Sequence, residues 1–231
     1  PISEIKFAHQ QDEWAYLNRV LEAGCGNGFS TFQLFSLKKP KEIIGIDFAK
    51  NMIYQANKRK QKEKMGNEIE FKLGDVRKLD FKNNQFDVVY TTRVLINLPD
   101  WQEQKQAINE CLRVAKKGGK VLFAESFWEP LVLLNAIRAL KQLKPLVEHD
   151  FNRYLKKEKL EAYLRKKKLK FKVVDFSSIY YLGSRFLREL VTNPQDYPGY
   201  SNPINKIFYE LEKDYSGGGF GIQQLYIINK Q

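Results

Sequence analysis

The sequence predicts an α/β fold: a doubly wound, mostly parallel seven-stranded sheet with helices on both faces, an antiparallel last strand and a C-terminal lid-like insertion. Short apolar segments alternate with amphipathic ones from residue 20 to residue 126. The first apolar segment enters a glycine-rich turn, VLEAGCGNGFS, at residues 20–30. The second, EIIGID, is an apolar run that ends in a carboxylate, as strands buried on both faces of a parallel sheet do.

The first half of the chain alternates strands with helices. We predict strands at residues 20–23, 42–47, 69–73, 86–91 and 120–126, and helices at residues 28–37, 49–65 and 100–114. In the second helix, Met52, Ile53 and Ala56 are expected to point inward. Pro99 precedes the third helix, and Glu103 follows Asp100 by three residues, which is the spacing of a capping box.

The second half is less regular. We predict helices at residues 130–143 and 156–167, a strand at about residues 169–181 and a closing strand at residues 219–230. Between the two strands, residues 183–219 form a long excursion rich in Tyr, Asn, Pro and Gly, with short helices at residues 184–191 and 203–215. Because long loops are uncommon unless they are functional, we expect a lid there.

The composition restricts the class of protein. Hydrophobic residues make up 43% of 231 residues, which is ordinary for a globular domain. We find no uncharged apolar run of 18 residues and no signal peptide, and we therefore expect a cytoplasmic protein without a membrane span. Cys25 and Cys111 lack metal-ligand neighbours at useful spacing, which predicts two reduced thiols and no metal site.

The net charge of +12 is unevenly distributed. Residues 116–175 hold 16 Lys and Arg against 7 Asp and Glu, and residues 165–172 read RKKKLKFK. Lysines outnumber arginines 29 to 10, whereas nucleic-acid readers favour arginine for bidentate and stacking contacts. We interpret the charge as a solvated face, with an RNA-binding surface as the alternative.

The glycine turn suits a nucleotide-like ligand. Gly24, Gly26 and Gly28 permit a tight strand-to-helix turn, and the helix that follows offers free N–H groups. A dinucleotide fingerprint would need glycine at position 29 or 31, where Phe29 and Thr31 stand. The turn therefore does not fit NAD, and a strand–helix turn without a ligand is the alternative.

Suitable side chains stand at the carboxyl ends of four consecutive strands, where ligands of such sheets bind. They are Glu22, Asp47, Asp75 with Val76, and the run Thr91, Thr92 and Arg93. Each has a structural alternative. Asp47 could be a helix N-cap, Asp75 a turn residue after Gly74, and Phe48 and Met52 plain core residues.

Five strings, in order, resemble the motifs of the class I S-adenosylmethionine-dependent methyltransferases over residues 20–126: VLEAGCGNG, IGIDFAKNMI, LGDVRKL, FDVVYTTRVLINLPD and AINECLRVAKKGGKVLFAE. The resemblance implies a Rossmann-like transferase that uses S-adenosyl-L-methionine and releases S-adenosyl-L-homocysteine. It implies that Glu22 orients the first turn and that the turn itself, Gly24, Cys25, Gly26 and Gly28, makes room for the cofactor's methionine portion and ribose. It assigns the remaining contacts as follows: Asp47 to the ribose diol, Phe48 and Met52 to the adenine ring, Asp75 to the adenine amine, Val76 to a ring nitrogen and Thr91 to the sulfonium end.

The acceptor side is less defined. Many relatives have His where Asn97 stands, so a candidate general base is missing there, and His149 in PLVEHDFNRYL is the next candidate. A surface histidine is the alternative. Arg93 is a candidate for holding an anionic substrate group, or it pairs with a structural carboxylate. Aromatic candidates for an acceptor wall, which could equally pack the excursion onto the sheet, are Trp128, Tyr180 and Tyr200.

These observations predict an S-adenosylmethionine-dependent methyltransferase that modifies O or N of a small-molecule, sugar or lipid-linked acceptor. Two alternatives remain: an RNA or tRNA methyltransferase that uses the basic C-terminal half, and a non-catalytic cofactor-binding subunit. We expect one domain over residues 1–231. Its parts would be a helical lead-in (1–19), a cofactor-binding core (20–128), a helical segment (129–168) and the last two strands (169–231) with the insertion at residues 183–219 as a substrate lid.

Overall fold

The computed structural model describes residues 18–192, 202–215 and 217–231. Its strands are β1 (Arg19–Ala23), β2 (Glu42–Asp47), β3 (Ile69–Leu73), β4 (Phe86–Thr92), β5 (Ala115–Ser126), β6 (Lys170–Asp175) and β7 (Gln223–Asn229). They form one sheet in the order β3-β2-β1-β4-β5-β7-β6. Strands β1 to β5 pair in parallel, and β7 pairs antiparallel with both β5 and β6. The predicted doubly wound sheet with an antiparallel last strand is confirmed.

Helices cover both faces of this sheet. They are α1 (Phe29–Lys38), α2 (Lys50–Lys62), α3 (Trp101–Val114), α4 (Trp128–Leu140) and α5 (Lys157–Lys166). Successive strand residues point to opposite faces. Leu21 of β1 therefore packs in the cluster that contains Ile108 of α3 and Leu160 of α5, whereas Val20 packs in the cluster that contains Phe32 of α1.

Strand β6 ends six residues before the predicted end at residue 181. The Asp175 carboxylate ends the strand, because it accepts hydrogen bonds from Ser178 Oγ at 2.6 Å and from the Gly219 N–H at 3.1 Å. A helix begins directly afterwards, with α6 (Ser178–Leu182), a π-helical turn (Gly183–Leu187) and α7 (Arg188–Val191). The second predicted helix of the excursion is present as α8 (Ile204–Asp214).

The excursion packs against α4 at the carboxyl edge of the sheet. A third cluster joins Leu131 and Leu134 of α4 with Ile222, and Tyr181 and Phe186 pack against it. Arg138 of α4 is buried and binds Glu189 of α7 at 3.0 Å, and it also donates to the carbonyl oxygens of Lys144 and Arg185. The described part of the predicted lid is therefore anchored beside the carboxyl ends of the strands.

Two local predictions need correction. Asp100 caps α3, accepting from the N–H groups of Gln102 and Glu103, but the Glu103 side chain binds Arg77 at 2.5 Å instead of completing the capping box. Met52 was expected inward, yet it is 37% exposed. The first turn of α2 stands at the carboxyl edge of the sheet, so Met52 lies beside that edge and Ala56 makes the buried contact.

Glu212 of α8 joins the two helical parts of the excursion. Its side chain is buried and accepts a hydrogen bond from the Tyr180 N–H at 2.7 Å. Burial raises the pKa of Glu212 to about 7, and the nearby charge of Asp175 adds to this rise. The folded protein therefore holds a proton on Glu212 at pH values where the unfolded chain has released it.

This pKa predicts a pH dependence of folding stability. Since the usual pKa is 4.5 and the folded-state pKa is about 7, the Glu212 contribution to stability is fully present below about pH 4.5 and falls as the pH rises to about 7. Urea unfolding at pH 5.5 and pH 8 should show that the free energy of unfolding falls more between these pH values in wild type than in Glu212→Gln. Glu210→Gln, at an exposed position on the same helix, is the control. Identical pH dependence in wild type and Glu212→Gln would contradict the prediction.

Candidate functional site

The glycine turn after β1 is fixed to the end of β2 by backbone hydrogen bonds. The N–H groups of Gly24 and Cys25 both donate to the Ile46 carbonyl, at 2.7 and 2.8 Å. Gly24, Gly26 and Gly28 have φ values of 88°, 52° and 78°, which glycine adopts without strain. A Cβ on Gly26 would meet no atom within 4 Å, so the backbone of this turn borders open space.

Two of the predicted cofactor residues support the turn from within the core. Glu22 is fully buried and accepts hydrogen bonds from the Ser30 and Thr31 hydroxyls, which ties the end of β1 to the start of α1. Burial raises the pKa of Glu22. The Cys25 side chain also packs in the core, and burial raises the pKa of its thiol. Both side chains therefore position the turn from its core side.

Asp47 lies beside the glycine turn and carries usable acceptor capacity. Its Oδ2 accepts from the Gly26 N–H and its Oδ1 from the Ala49 N–H, both at 2.9 Å. Since a carboxylate offers about four lone pairs, each oxygen can accept one further donor, such as a hydroxyl. The N-cap of α2 is Ala49, not Asp47. Phe48 is 79% exposed and borders Asp47, which excludes a core role for this ring.

Asp75 stands on the turn after β3 and is held by Arg77. Arg77 Nη2 lies 2.6 Å from Asp75 Oδ2, and the Arg77 N–H donates to Oδ1 at 2.8 Å. The hydrogen bond from the Arg77 side chain lowers the pKa of Asp75. Asp75 also makes a backbone turn, because its carbonyl accepts from the Lys78 N–H at 3.0 Å. Val76 follows it and is buried.

Thr91 at the end of β4 does not face open space. It is fully buried and donates from Oγ1 to Glu125 Oε1 at 2.6 Å. Glu125 on β5 also accepts from the N–H groups of Val94 and Leu95, at 3.0 and 3.2 Å, and burial raises its pKa. Glu125 was missed in the sequence analysis, where the signal was a carboxylate within the apolar run KVLFAES.

Arg93 follows β4 with a φ of 55°, a conformation that is uncommon for a residue with a side chain. Its N–H donates to the Ala124 carbonyl, and its own carbonyl accepts from Asn97 Nδ2, both at 2.9 Å. The side chain is exposed. Such outliers concentrate at functional sites, and here Asn97 supports the strained turn.

The acceptor-side candidates are separated. His149 is exposed and stacks on Phe151 with ring centroids 5.3 Å apart. Trp128 lines a cleft of about 260 Å³, to which Pro99, Trp101 and Tyr154 also contribute. Tyr180 is half-buried and packs edge-on against Tyr181. Tyr200 lies outside the described residues.

Asn152, which the sequence analysis did not select, is buried with an unpartnered oxygen. It is 7% exposed, and within the described ranges its Oδ1 accepts no hydrogen bond. The neighbouring Arg153 N–H donates to the Ile96 carbonyl at 2.6 Å, which joins this segment to the turn after β4. A buried acceptor without a donor is costly, so Asn152 is a candidate for binding a donor on a ligand.

A second cleft of about 540 Å³ adjoins the first and shares Trp101 and Lys159 with it. It lies between α3 and α5, and its other lining residues are Lys105, Ala162, Tyr163, Lys166 and Lys167. No glycine-turn residue lines either cleft. Within the described ranges, no helix is long and apolar enough to span a membrane, and no cluster of His, Cys, Asp and Glu has the geometry of a metal site.

Residues 17–172 match the family model described as "Methyltransferase domain". Among curated relatives, a demethylmenaquinone methyltransferase of Lactococcus lactis is 34% identical over 140 residues, which are 59% of this chain and 54% of the relative. A ubiquinone biosynthesis O-methyltransferase of Nitrosococcus oceani is 30% identical over 152 residues, 64% of this chain and 61% of the relative. The chain thus spans less than two thirds of the length of these relatives.

The fold matches solved methyltransferase structures over nearly the whole chain. A geranyl diphosphate C-methyltransferase from Streptomyces coelicolor, in complex with Mg²⁺, geranyl diphosphate and S-adenosyl-L-homocysteine, superposes with a TM-score of 0.64. The match covers 99% of this chain and 77% of that one at 14% sequence identity. At this identity the similarity shows a common fold.

Two alanine substitutions should distinguish the glycine that packs against the core from the glycine that borders open space. A Cβ on Gly24 would lie 2.2 Å from Val94 Cγ2, whereas one on Gly26 would meet nothing within 4 Å. Both positions have positive φ, so Gly26→Ala is the matched control for backbone strain. We expect Gly24→Ala to lower the free energy of unfolding by about 2–4 kcal/mol and Gly26→Ala by about 1 kcal/mol, measured by urea unfolding. Equal losses would contradict the predicted clash with Val94.

Proposed function

This chain belongs to the class I S-adenosylmethionine-dependent methyltransferase family, and we propose that it transfers a methyl group to O or N of a small-molecule, sugar or lipid-linked acceptor. The observation that carries the proposal is the placement of Asp47. Its carboxylate lies beside the glycine turn with one spare lone pair on each oxygen, next to the open side of Gly26. Two oxygens that can each accept a hydrogen bond fit the two hydroxyls of a ribose.

The remaining cofactor contacts follow the strand ends. The turn at residues 24–28 would hold the methionine portion and ribose, and Asp75 would accept from the adenine amine. Phe48 and Met52, both exposed beside Asp47, would cover the adenine ring. The bound cofactor supplies an activated methyl group on a sulfonium. The family resemblance and the matched family model support this assignment.

Methyl transfer from a sulfonium is an in-line displacement, so the chain's main task is alignment of the acceptor. The strained turn at Arg93 and the buried Asn152 border the ends of β4 and β5, where an acceptor would lie. Asn152 Oδ1 is buried and accepts no hydrogen bond within the described ranges, so a hydroxyl or amine of an acceptor that reached it would be oriented by it. Arg93 can hold an anionic group. His149, which is exposed and stacked on Phe151, would need an acceptor at the surface to act as a base.

The acceptor class is supported by the relatives and by the first cleft. One curated relative is named a demethylmenaquinone methyltransferase and another a ubiquinone biosynthesis O-methyltransferase, and both names refer to small molecules. A cleft of about 260 Å³ has room for part of such a molecule, and its lining combines aromatic side chains with charged ones (Trp101, Trp128, Tyr154, Asp100, Glu148, Arg153, Lys156 and Lys159).

Removal of the Asp47 carboxylate should weaken cofactor binding. We expect Asp47→Ala to raise the Kd for S-adenosyl-L-homocysteine at least tenfold in isothermal titration calorimetry, because two hydroxyls lose charged acceptors. Asp80→Ala, at an exposed position after β3, is the control and should bind as wild type does. Unchanged affinity of Asp47→Ala would refute the assigned ribose site.

A turnover assay separates an enzyme from a non-catalytic cofactor-binding subunit. S-adenosyl-L-homocysteine release should be measured with phenolic, sugar and amine acceptors presented singly. The proposal expects release that depends on at least one acceptor and that falls with Asn152→Leu. Cofactor binding without acceptor-dependent release across all three groups would favour the binding subunit.

The lysine-lined second cleft favours a second candidate, an RNA methyltransferase. Lys159, Lys166 and Lys167 are exposed along this cleft beside Tyr163. Among the described residues, Lys159 and Lys166 form no ion pair. Lysines combined with aromatic rings are the usual lining of single-strand binding grooves.

Charge reversal tests this second candidate. The triple variant Lys159→Glu, Lys166→Glu, Lys167→Glu is compared with Lys58→Glu, Lys62→Glu, Lys64→Glu, which makes the same change in net charge at exposed positions on and after α2. For a small-molecule enzyme, tRNA affinity in filter binding between 50 and 200 mM salt should fall equally in both triples. A loss confined to the Lys159 triple would support the RNA candidate instead.

A further inference from the structure

We propose that Arg77 is a positioning residue that sets the preference of the cofactor site for adenine, by holding the Asp75 carboxylate in one orientation at the end of β3. This proposal rests on the proposed cofactor site. None of the motif strings assigns a role to Arg77, although it lies within LGDVRKL. The inference comes from the contacts that this side chain makes.

Arg77 donates hydrogen bonds to the Asp75 carboxylate from both its backbone and its side chain. The Arg77 N–H and Nε donate to Asp75 Oδ1 at 2.8 and 2.9 Å, and Nη2 donates to Oδ2 at 2.6 Å. The side-chain contacts form a bidentate pair, which fixes a carboxylate in its plane more firmly than a single contact does. The Asp75 carboxylate therefore has one favoured rotamer.

Two residues of α3 in turn contact Arg77. Its Nη1 lies 2.5 Å from Glu103 Oε2, and Gln106 Nε2 donates to its carbonyl at 3.0 Å. Helix α3 is anchored by the buried side chains Ala107, Ile108 and Cys111. The orientation of Asp75 is thus set by a chain of contacts that begins in the core, on an element remote in sequence from β3.

The arrangement leaves a single acceptor direction on Asp75. The Arg77 N–H donates to Oδ1 and Nη2 donates to Oδ2, while the single hydrogen of Nε is shared between the two oxygens, at 2.9 and 3.0 Å. Three N–H groups therefore meet a carboxylate that has about four lone-pair sites. An isolated exposed ion pair would contribute little, but this one is bidentate and continues to Glu103 as a network. The remaining lone-pair site of the carboxylate can accept from an exocyclic amine, and it repels a carbonyl oxygen in the same place.

Two compounds that differ at the amine edge of the base test the proposal. Calorimetry would measure Kd for S-adenosyl-L-homocysteine and for S-inosyl-L-homocysteine, in which a carbonyl and a ring N–H replace the adenine amine and its neighbouring ring nitrogen. Because the ring N–H affects wild type and variant alike, the change in selectivity on substitution of Arg77 reports the contact with the amine. We expect wild type to prefer the adenine compound, and Arg77→Met to weaken adenine binding about tenfold while binding of the inosine compound stays nearly unchanged. Arg77→Lys keeps the positive charge but cannot form the bidentate contact, and it should show most of the same loss of selectivity.

Lys72→Met is the matched control, because it removes an exposed cation that pairs with Glu70 on β3. Its selectivity should equal that of wild type, and melting temperatures would verify folding of every variant. Tighter adenine binding by Arg77→Met would show that Arg77 competes with the amine, and an unchanged selectivity ratio would show that Asp75 needs no support. Either result overturns the proposal. If wild type bound neither compound, the proposed cofactor site would itself be wrong.

Discussion

The site depends first on the attachment of the glycine turn to β2. One carbonyl, that of Ile46, accepts from both Gly24 and Cys25, and the next side chain, Asp47, accepts from Gly26. Three consecutive N–H groups of the turn are thereby satisfied by the neighbouring strand. Because β1 and β2 are adjacent and parallel, their carboxyl ends are level, and the turn and Asp47 are brought together without any long connection.

Two buried carboxylates extend this organisation to the rest of the carboxyl edge. Glu22 ties β1 to α1 through two hydroxyls, and Glu125 ties β5 to the turn after β4 through Thr91 and two backbone N–H groups. Burying a carboxylate is costly, and burial raises both pKa values, whereas the hydrogen bonds from the donors lower them. The two carboxylates therefore fix the paths of these turns from within the core, and the groups proposed to contact a ligand are other residues.

The sequence allowed prediction of features that depend on short-range patterns. Apolar runs located β2 and β3 to the residue, and the glycine spacing located the turn. Features that depend on distant partners could not be predicted. Thr91 is 34 residues from Glu125, and Arg77 is 26 residues from Glu103, so neither contact leaves a local pattern. Asn152 is likewise buried in a segment that a hydrogen bond from the Arg153 N–H to the distant Ile96 carbonyl joins to the turn after β4.

This difference divides the site into two halves. The proposed cofactor half is built from strand ends and the residues directly after them, so its residues stand in short strings that could be compared with the family's motifs. The proposed acceptor half draws on the turn after β4, the segment at residues 148–155 and the helices of the excursion. Tertiary contacts hold these segments in place, such as the hydrogen bond from the Arg153 N–H to the Ile96 carbonyl and the ion pair of Arg138 with Glu189. Such contacts tolerate different side chains provided that the packing is kept, so a constant methyl donor can be combined with varied acceptors on one sheet. Strain at Arg93 and the unpartnered oxygen of Asn152 are two points in this half where packing alone does not account for the residue.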